Sequence, residues 1–425
     1  MRQLSQGSWG PAVELLQLAL SRYGSTGLTI DGLFGPETGK ALRSFQRAMG
    51  LVPDGIAGRE THRALLPWYT GYTLHRVKRG DTLYSIAQTH GSSVEAIELA
   101  NPGLMPNRLE PGSSLIVPLG FQVVPTNISY SSALVGYCVR GLAARYPFIS
   151  AGEIGRSVMG RPLWRMSLGS GGSRVLYNAA HHANEWICTP LLLKFTEELA
   201  AAFAAGGQLY GNSAAEILSS ASIHLIPALN PDGIDLVTGE LQSGEFYRQA
   251  RNIAANYPQF PFPSGWKANI RGTDLNLQYP ADWEQAKINK YAQGIVSPAP
   301  ADYVGPYALS APESRAMYDY TLALSPELIL AYHTQGEVIF WKYKDFEPPR
   351  SREIGEALSA ASGYPLEETP YASGFAGYKD WFIESFDRPG YTIEAGRGIN
   401  PLPLSQFDEI YEDNLGILVT AAVMA

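Results

Sequence analysis

Apolar residues recur along this chain with two different periods, and the change between the periods separates its parts. Helical spacing is shown by two sets near the N-terminus: Val13, Leu16 and Leu20, and then Ala41, Phe45 and Met49. These sets predict a small helical bundle over residues 1–68. Within it, Asp31-Gly-Leu-Phe-Gly-Pro-Glu-Thr38 recurs as Asp54-Gly-Ile-Ala-Gly-Arg-Glu-Thr61. In each copy the glycines suit a tight turn, and the threonine or the acid before it can cap the next helix.

Residues 72–119 show the apolar pattern of two short strands with two helices between them. Alternation around Val77 predicts a strand, and Asp81 or Thr82 can cap a helix that turns Leu83 inward. A second helix follows, and the run Leu115-Ile-Val-Pro118 returns as a strand. This segment is therefore predicted to be a β-α-α-β module.

From residue 126 to 425, apolar runs alternate with helical stretches, which is typical of an α/β sheet covered by helices on both faces. Four apolar runs end in polar residues: 175–180 before His182 and Glu185, 223–229 before Asn230, 328–332 before His333, and 391–393 before Glu394. Because ligands bind outside the carboxyl ends of strands in open α/β sheets, we expect these four groups to converge.

Composition narrows the possible functions. With 425 residues, the chain is longer than a domain with a single hydrophobic core usually is, so several domains are expected. Its net charge of −8 argues against a nucleic-acid partner, and no apolar run is long enough for membrane insertion. Two cysteines cannot form a thiolate metal site, so a metal must be held by histidines and carboxylates. The start of the chain lacks the hydrophobic core of a signal peptide, which predicts a cytoplasmic protein, or a cell-wall or extracellular one if a signal was removed.

His182 and Glu185 form the strongest local candidate for a metal site. Residues at i and i+3, on the turn that leaves a strand and opens a helix, can point at one metal. Two histidines and one glutamate are a catalytic zinc set that leaves one position open. The competing interpretation is a surface pair at a helix start. We interpret the neighbouring His181 as a packing residue or the holder of an outer hydrogen bond, and His224 as a core residue.

The two N-terminal segments resemble known families. The pattern Gly7-x-x-Gly10-x-x-Val13-x-x-Leu16-Gln17, with the two Asp-Gly turns, closely resembles the peptidoglycan-binding domain type 1 family. Gly80-Asp81-Thr82-Leu83, Asn101-Pro102 and the Pro111-Gly112 turn resemble a LysM domain, which binds glycans containing N-acetylglucosamine. Because both families hold cell-wall polymer, the resemblance implies peptidoglycan glycan strands and stem peptides as partners.

Residues 126–425 resemble the zinc metallocarboxypeptidase family. The matching motifs, in the family's order, are Gly160-Arg-Pro-Leu163, His182-x-x-Glu185-Trp186, Asn230-Pro-Asp-Gly233, Asp274-Leu-Asn276, His333 and Thr392-Ile-Glu394. The resemblance implies a carboxypeptidase-like mixed sheet with helices on both faces. It also implies one zinc ion held by His182, Glu185 and His333, with Glu394 as the general base.

Two residues are candidates to stabilise the oxyanion that forms during attack on a carbonyl. Counting back from Asp274 in shorter relatives gives Lys267, whereas Arg271 is the only arginine nearby. Arg271 is slightly favoured, because a planar guanidinium donates two parallel hydrogen bonds.

The chain departs from the family where exopeptidases clamp a terminal carboxylate with an Asn-Arg pair. Here Asn276 is followed by Leu277, which cannot donate a hydrogen bond. Lys379 occupies the position that lines the pocket for the residue after the scissile bond, and it would favour an anionic side chain unless it points to solvent. Tyr371 matches the family's mobile tyrosine only if a gap is allowed.

Three sequence segments, 266–276, 332–336 and 377–382, resemble those of bacterial γ-D-glutamyl-diaminopimelate endopeptidases within the family. This resemblance implies a zinc peptidoglycan hydrolase that cleaves the γ-D-glutamyl–meso-diaminopimelate bond of stem peptides. Two alternatives stay open: a zinc carboxypeptidase that trims terminal residues of wall or ordinary peptides, and a wall-binding protein whose peptidase domain is dead.

Overall fold

The computed structural model describes residues 2–25, 27–371 and 374–425. Its contacts group the chain into two compact units, Met1–Ser150 and Ala151–Ala425. The sequence pattern begins the third segment at residue 126, whereas the contacts place residues up to 150 in the first unit. A helix, Ser132–Arg145, accounts for this grouping, because its Tyr137 stacks on Tyr69 with ring centroids 5.2 Å apart.

The first unit begins with four helices: α1 (Pro11–Tyr23), α2 (Pro36–Ala48), α3 (Arg59–Ala64) and α4 (Leu66–Thr70). The internal repeat forms turns before α2 and α3, and a buried glutamine of the preceding helix locks each turn. Gln17 Nε2 donates to the Asp31 carboxylate at 2.8 Å, and its Oε1 accepts from the Gly32 amide at 2.9 Å. Gln46 donates in the same way to Asp54 at 2.9 Å. Both copies of the sequence repeat are therefore stabilised by the same type of hydrogen bond from a buried glutamine to the aspartate of the turn.

The predicted β-α-α-β module follows in the same unit. Its elements, with the helix after them, are β1 (Tyr72–Arg76), α5 (Leu83–His90), α6 (Val94–Ala100), β2 (Ser114–Pro118) and α7 (Ser132–Arg145). β1 and β2 pair antiparallel. Of the two candidate caps of α5, Thr82 is the one that acts, because its hydroxyl oxygen accepts from the Ser85 amide at 3.0 Å.

A mixed sheet organises the second unit. The strands of this unit are β3 (Ser150–Arg156), β4 (Pro162–Leu168), β5 (Ser173–Ala179), β6 (Gln208–Leu209), β7 (Asn212–Ser213), β8 (Ala221–Ile226), β9 (Leu328–His333), β10 (Val338–Phe340), β11 (Leu366–Glu367) and β12 (Gly390–Glu394). Eight of them form one sheet in the order β11-β10-β12-β9-β5-β8-β4-β3, and β6 and β7 form a separate hairpin. The central strands β12, β9, β5 and β8 are parallel, whereas β10 and β4 join them antiparallel.

Helices cover both faces of this sheet, as predicted. They are α8 (Cys188–Ala204), α9 (Ala214–Ser220), α10 (Pro231–Val237), α11 (Glu245–Ala254), α12 (Trp283–Ala292), α13 (Pro312–Leu324), α14 (Ser351–Ser362), α15 (Tyr378–Phe386) and α16 (Phe407–Met424). Leu176 of β5 lies in one core cluster with Met317 of α13 and Trp381 of α15. The next residue, Tyr177, faces the other way and donates its hydroxyl to the Leu418 carbonyl of α16 at 2.9 Å. This alternation follows from the two-residue period of a strand.

The parallel centre of the sheet brings several strand ends to one edge. β5 ends just before His182, β9 ends at His333 and β12 ends at Glu394. In the register of β9 and β12, His333 and Glu394 are direct partners. Among the described residues, no helix is both long enough and apolar enough to cross a membrane.

Candidate active site

Three side chains converge at the carboxyl ends of β5 and β9. His182 and Glu185 bound the 3-10 turn that follows β5, and His333 is the last residue of β9. Their donor atoms lie within 4.8 Å of one another, and all three residues are buried. His182 Nδ1 lies 3.0 Å from Glu185 Oε1, and His333 Nδ1 lies 2.8 Å from Glu185 Oε2. The two Nδ1 atoms are 3.2 Å apart.

These spacings fit a zinc ion. Nitrogen and oxygen ligands of tetrahedral zinc stand about 3.3 Å from each other, close to the three distances observed. The donor set of two imidazoles and one carboxylate is also that of a catalytic site, which keeps a position for water or substrate. The residues present are therefore able to hold the metal that the sequence predicts.

The short distances within the triad shift the pKa values of its side chains. Burial works against a charge on His182, yet the neighbouring Glu185 raises the pKa of this imidazole to about 9. Burial likewise opposes a charge on Glu185, but His182, Lys267 and His333 hold the pKa of its carboxyl well below the usual range. A proton and a metal ion compete for the same imidazole nitrogen, so metal binding here releases a proton.

Two residues outside the triad contact it, Asp274 through a hydrogen bond to His182 and His181 through ring stacking on His333. Asp274 Oδ1 lies 3.1 Å from His182 Nε2, the nitrogen that does not face Glu185. A carboxylate in this position sets the tautomer and ring orientation of a metal-binding histidine. His181 is fully buried, and its Nε2 bonds the Tyr279 hydroxyl at 2.9 Å. It therefore packs behind the triad and is not one of the three converging residues.

Glu394 lies beside the triad at the end of β12 and lines the same cleft. Because partners in adjacent parallel strands point to the same face, its pairing with His333 directs both side chains toward the site. Burial raises the pKa of this carboxyl, with His333 opposing the shift and Glu185 adding to it. A raised carboxyl pKa brings the group closer to neutral pH, where a general base is most effective.

The two candidates for oxyanion stabilisation lie in different places. Lys267 lines the cleft, and its Nζ is 3.3 Å from Glu185 Oε1. Burial disfavours its charge, but Glu185 and Asp274 raise the pKa of this amine above its usual value. Arg271 is exposed and lines a separate depression beside Tyr303. Its position does not support the slight preference for Arg271, and Lys267 is the cation that the fold brings to the triad.

The residues predicted to bind substrate are partly placed at the cleft. Of these residues, Asn276 and Lys379 line it, and so does Leu277, which stands where exopeptidases of the family have an arginine. Lys379 is buried, and its amine donates to the Asp380 carboxylate at 2.6 Å and to the Lys342 carbonyl at 2.8 Å. The alternative that Lys379 points to solvent is therefore wrong.

Tyr371 is not among the residues that line the cleft. Its side chain is exposed, lines a neighbouring depression and packs edge-to-face on Phe375 with ring centroids 5.0 Å apart. The structure thus gives no support to the assignment of Tyr371 to substrate binding, which already required a gap in the matching.

The cleft, of about 240 Å³, also contains residues that the sequence analysis missed. Lys290 of α12 forms an ion pair with Asp302, with Nζ and Oδ1 2.5 Å apart. The Asp302 amide in turn donates to Asp274 Oδ2 at 3.2 Å. Asp274 could be identified from the sequence because it begins the motif Asp274-Leu-Asn276, whereas neither Lys290 nor Asp302 belongs to a motif.

Comparisons with known families agree with this geometry. The zinc carboxypeptidase family matches residues 137–416, which is more than half of the chain and includes the triad and Glu394. The putative peptidoglycan binding domain matches residues 10–65, and the LysM domain matches residues 75–118.

Similar proteins were found among curated proteins and among solved structures. The gamma-D-glutamyl-L-diamino acid endopeptidase 1 of Lysinibacillus sphaericus is 39% identical over 301 residues, covering 71% of this chain and 74% of that protein. The uncharacterized protein YqgT of Bacillus subtilis (strain 168) is 36% identical over 338 residues, covering 79% and 86%. The structure of carboxypeptidase A from Helicoverpa armigera shares the fold, with a TM-score of 0.54 and 17% identity over 84% of this chain and 98% of that one.

The predicted fold class, family and cofactor are confirmed by these matches. The chain is a zinc metallopeptidase that belongs to the zinc carboxypeptidase family and carries a peptidoglycan-binding domain and a LysM domain ahead of its peptidase domain.

Proposed function

We propose that this metallopeptidase is a peptidoglycan hydrolase that cleaves the γ-D-glutamyl–meso-diaminopimelate bond of stem peptides. The observation that carries the proposal is the 39% identity to an endopeptidase whose name specifies a γ-D-glutamyl bond to a diamino acid. The two wall-binding domains support it, because they hold the catalytic domain near the polymer that contains this bond.

In this proposal His182, Glu185 and His333 hold the zinc ion, which when bound lowers the pKa of a water molecule and polarises the scissile carbonyl. Glu394 takes a proton from the attacking water and passes it to the leaving amine. Lys267 donates a charged hydrogen bond to the carbonyl oxygen as negative charge develops there. These assignments are supported by the position of Glu394 in the cleft, where its carboxyl pKa is raised, and by the 3.3 Å contact between Lys267 and Glu185.

The lining of the cleft supports an internal cut rather than the trimming of a chain end. Leu277 offers no donor to a terminal carboxylate, so a free C-terminus is not required. Lys379 uses two of its three N–H groups in contacts with Asp380 and Lys342. We propose that its third N–H meets the additional carboxylate of diaminopimelate, which a simple lysine residue in the stem would lack.

The proposed partners are peptidoglycan glycan strands and stem peptides, and the proposed place of action is the cell wall. The LysM domain and the peptidoglycan-binding domain support this assignment. A weakly binding tether is sufficient, because it raises the local concentration of the catalytic domain.

Incubation of the zinc-loaded protein with L-Ala-γ-D-Glu-meso-diaminopimelate tests the proposal. We expect release of free diaminopimelate and of L-Ala-γ-D-Glu, measured by chromatography with mass detection. A preparation with one zinc per chain that releases no diaminopimelate would rule the assignment out.

Release of diaminopimelate from the tripeptide does not distinguish an internal cut from C-terminal trimming, so the tetrapeptide that carries a further D-alanine must be assayed beside it. The proposed hydrolase would release the dipeptide diaminopimelyl-D-alanine from this tetrapeptide, and two alternatives give different results. A carboxypeptidase would release only the terminal D-alanine from the corresponding tetrapeptide and would leave the γ-D-glutamyl bond intact. A wall-binding protein with a dead peptidase domain would turn over neither peptide, and Glu394→Gln would change nothing.

A further inference from the structure

One charged pair in the active-site cleft has no role in the chemistry described above. Lys290 of α12 lines the cleft, and its Nζ lies 2.5 Å from Asp302 Oδ1. The Lys290 side chain is 14% exposed, so its amine is largely removed from bulk water. Among the described residues, Asp302 is the only hydrogen-bonding or ionic partner of this amine. An ammonium group has three N–H donors, which leaves two of them available inside the cleft.

The position of this pair is fixed relative to the metal site. The Asp302 amide donates to Asp274 Oδ2 at 3.2 Å, and the Asp274 amide donates to the Tyr303 carbonyl at 2.8 Å. Asp274 also bonds His182 through its other carboxylate oxygen at 3.1 Å. Two residues, Asp302 and Asp274, therefore connect the Lys290 amine to His182 of the triad, and the amine lines the same cleft as the triad.

Among the described residues that line the cleft, the other two side-chain amines have proposed roles. In the proposed function Lys267, which faces Glu185, serves the oxyanion, and Lys379, which is bound by Asp380 and by a backbone carbonyl, meets the carboxylate of diaminopimelate. Lys290 is the remaining amine. Because leaving charged donors unpaired in a partly dry site is unfavourable, its free N–H groups indicate an anionic substrate group.

The acyl side of the proposed bond supplies such an anion. A glutamate linked through its γ-carboxyl keeps a free α-carboxylate, separated from the scissile carbonyl carbon by four carbon–carbon bonds, or about 5 Å when extended. We propose that Lys290, held in place by Asp302, binds this α-carboxylate and makes the enzyme specific for a free γ-linked D-glutamate. This inference rests on the proposed function and extends it, because it assigns the acyl-side specificity to a named residue.

Two tripeptides that differ at one group test the inference: L-Ala-γ-D-Glu-meso-diaminopimelate with the glutamate α-carboxylate free, and the same peptide with an α-carboxamide. We expect the wild-type protein to prefer the free acid by about tenfold to a hundredfold in kcat/KM, the range for a charge-assisted hydrogen bond. In Lys290→Met, kcat/KM for the free acid should fall by that factor, and kcat/KM for the amide should change little. The ratio of the two kcat/KM values should therefore approach one.

Lys287→Met is the matched control. Lys287 lies on the same helix, but its amine rests over the Trp283 ring at 5.1 Å from the centroid and does not line the cleft. This variant should keep the wild-type preference. A measurement without any variant is the affinity of the wild-type protein for the product L-Ala-γ-D-Glu and for its α-amide, which should differ in the same direction.

The outcomes distinguish failure of the proposed hydrolase function from failure of the Lys290 assignment. If the wild-type protein cleaves neither tripeptide, the proposed function fails and the specificity assignment fails with it. If it cleaves the free acid but shows no preference over the amide in either rate or affinity, the proposed function stands and the Lys290 assignment is overturned. The assignment is equally overturned if Lys290→Met folds, turns over substrate and keeps the full preference.

Discussion

Replacing Lys267 by methionine tests the proposed chemistry directly. Methionine keeps most of the length of the side chain but removes the amine that lies 3.3 Å from Glu185 Oε1. Loss of one oxyanion donor lowers kcat by about a hundredfold to a thousandfold, which corresponds to about 2.7–4 kcal/mol of transition-state stabilisation. We expect a loss in this range, with a smaller change in KM, because the donor acts mainly in the transition state.

The assay is steady-state cleavage of the tripeptide, with kcat and KM determined separately. Zinc content must be measured on the same preparations, since Lys267 also faces Glu185 and its loss alters the charge around the metal site. Arg271→Met is the control. Arg271 is exposed and lies outside the cleft, so this variant should retain activity within about threefold of wild type.

The opposite pattern would refute the reasoning. If Arg271→Met lost more than a hundredfold in kcat while Lys267→Met with full zinc kept its activity, the loop that carries both residues would have to rearrange when substrate binds.

Three other changes have expected outcomes. Glu394→Gln should lower kcat by a hundredfold or more with zinc content unchanged, because a general base contributes about 10²–10⁴-fold; retained activity in the zinc-loaded variant would exclude this role. Gln17→Ala should reduce the free energy of unfolding by about 2 kcal/mol in urea titrations, because it unlocks a buried turn, whereas the exposed Gln3→Ala should not. Burial raises the pKa of Glu313 from 4.5 to about 7, so its contribution to stability, full below pH 4.5, should fall by roughly 3 kcal/mol as the pH rises to 7. Unfolding measured across this range should show a shallower decline in Glu313→Gln, and identical profiles would contradict the assignment.

Much of the metal site could be predicted from the sequence. His182 and Glu185 follow one apolar run, and His333 and Glu394 each end another. The convergence of parallel strand ends then makes their proximity a consequence of topology. The same reasoning explains why the sheet with helices on both faces could be predicted, since its strands and helices carry clear apolar periods.

The choice between Lys267 and Arg271 could not be made in this way. Asn269 accepts hydrogen bonds from the amides of Arg271 and Thr273, both at 3.1 Å, and so turns the chain tightly between the two candidates. This turn directs one cation into the cleft and leaves the other exposed. Its direction depends on a buried contact between Asn269 and Glu313, 44 positions away, which no local pattern reveals.

Lys290 and Asp302 were missed for a related reason. Their pairing depends on where a helix and a loop pack against Asp274, and neither residue belongs to a recognisable motif. The assignment of Tyr371 stays a prediction without structural support, because it depended on the register of an exposed loop, where side-chain patterns carry little information.

The direct pairing of His333 with Glu394 has an evolutionary consequence. Main-chain hydrogen bonds between β9 and β12 set the spacing of these two residues, and the long stretch of chain between them adds β10 and β11 to the sheet edge before it returns as β12. Insertions, deletions or exchanges in that stretch outside β10 and β11, such as in the helix that carries Lys379, can change the lining of the cleft without displacing the pair. A lineage can therefore acquire new specificities by editing this stretch while it inherits the catalytic chemistry unchanged.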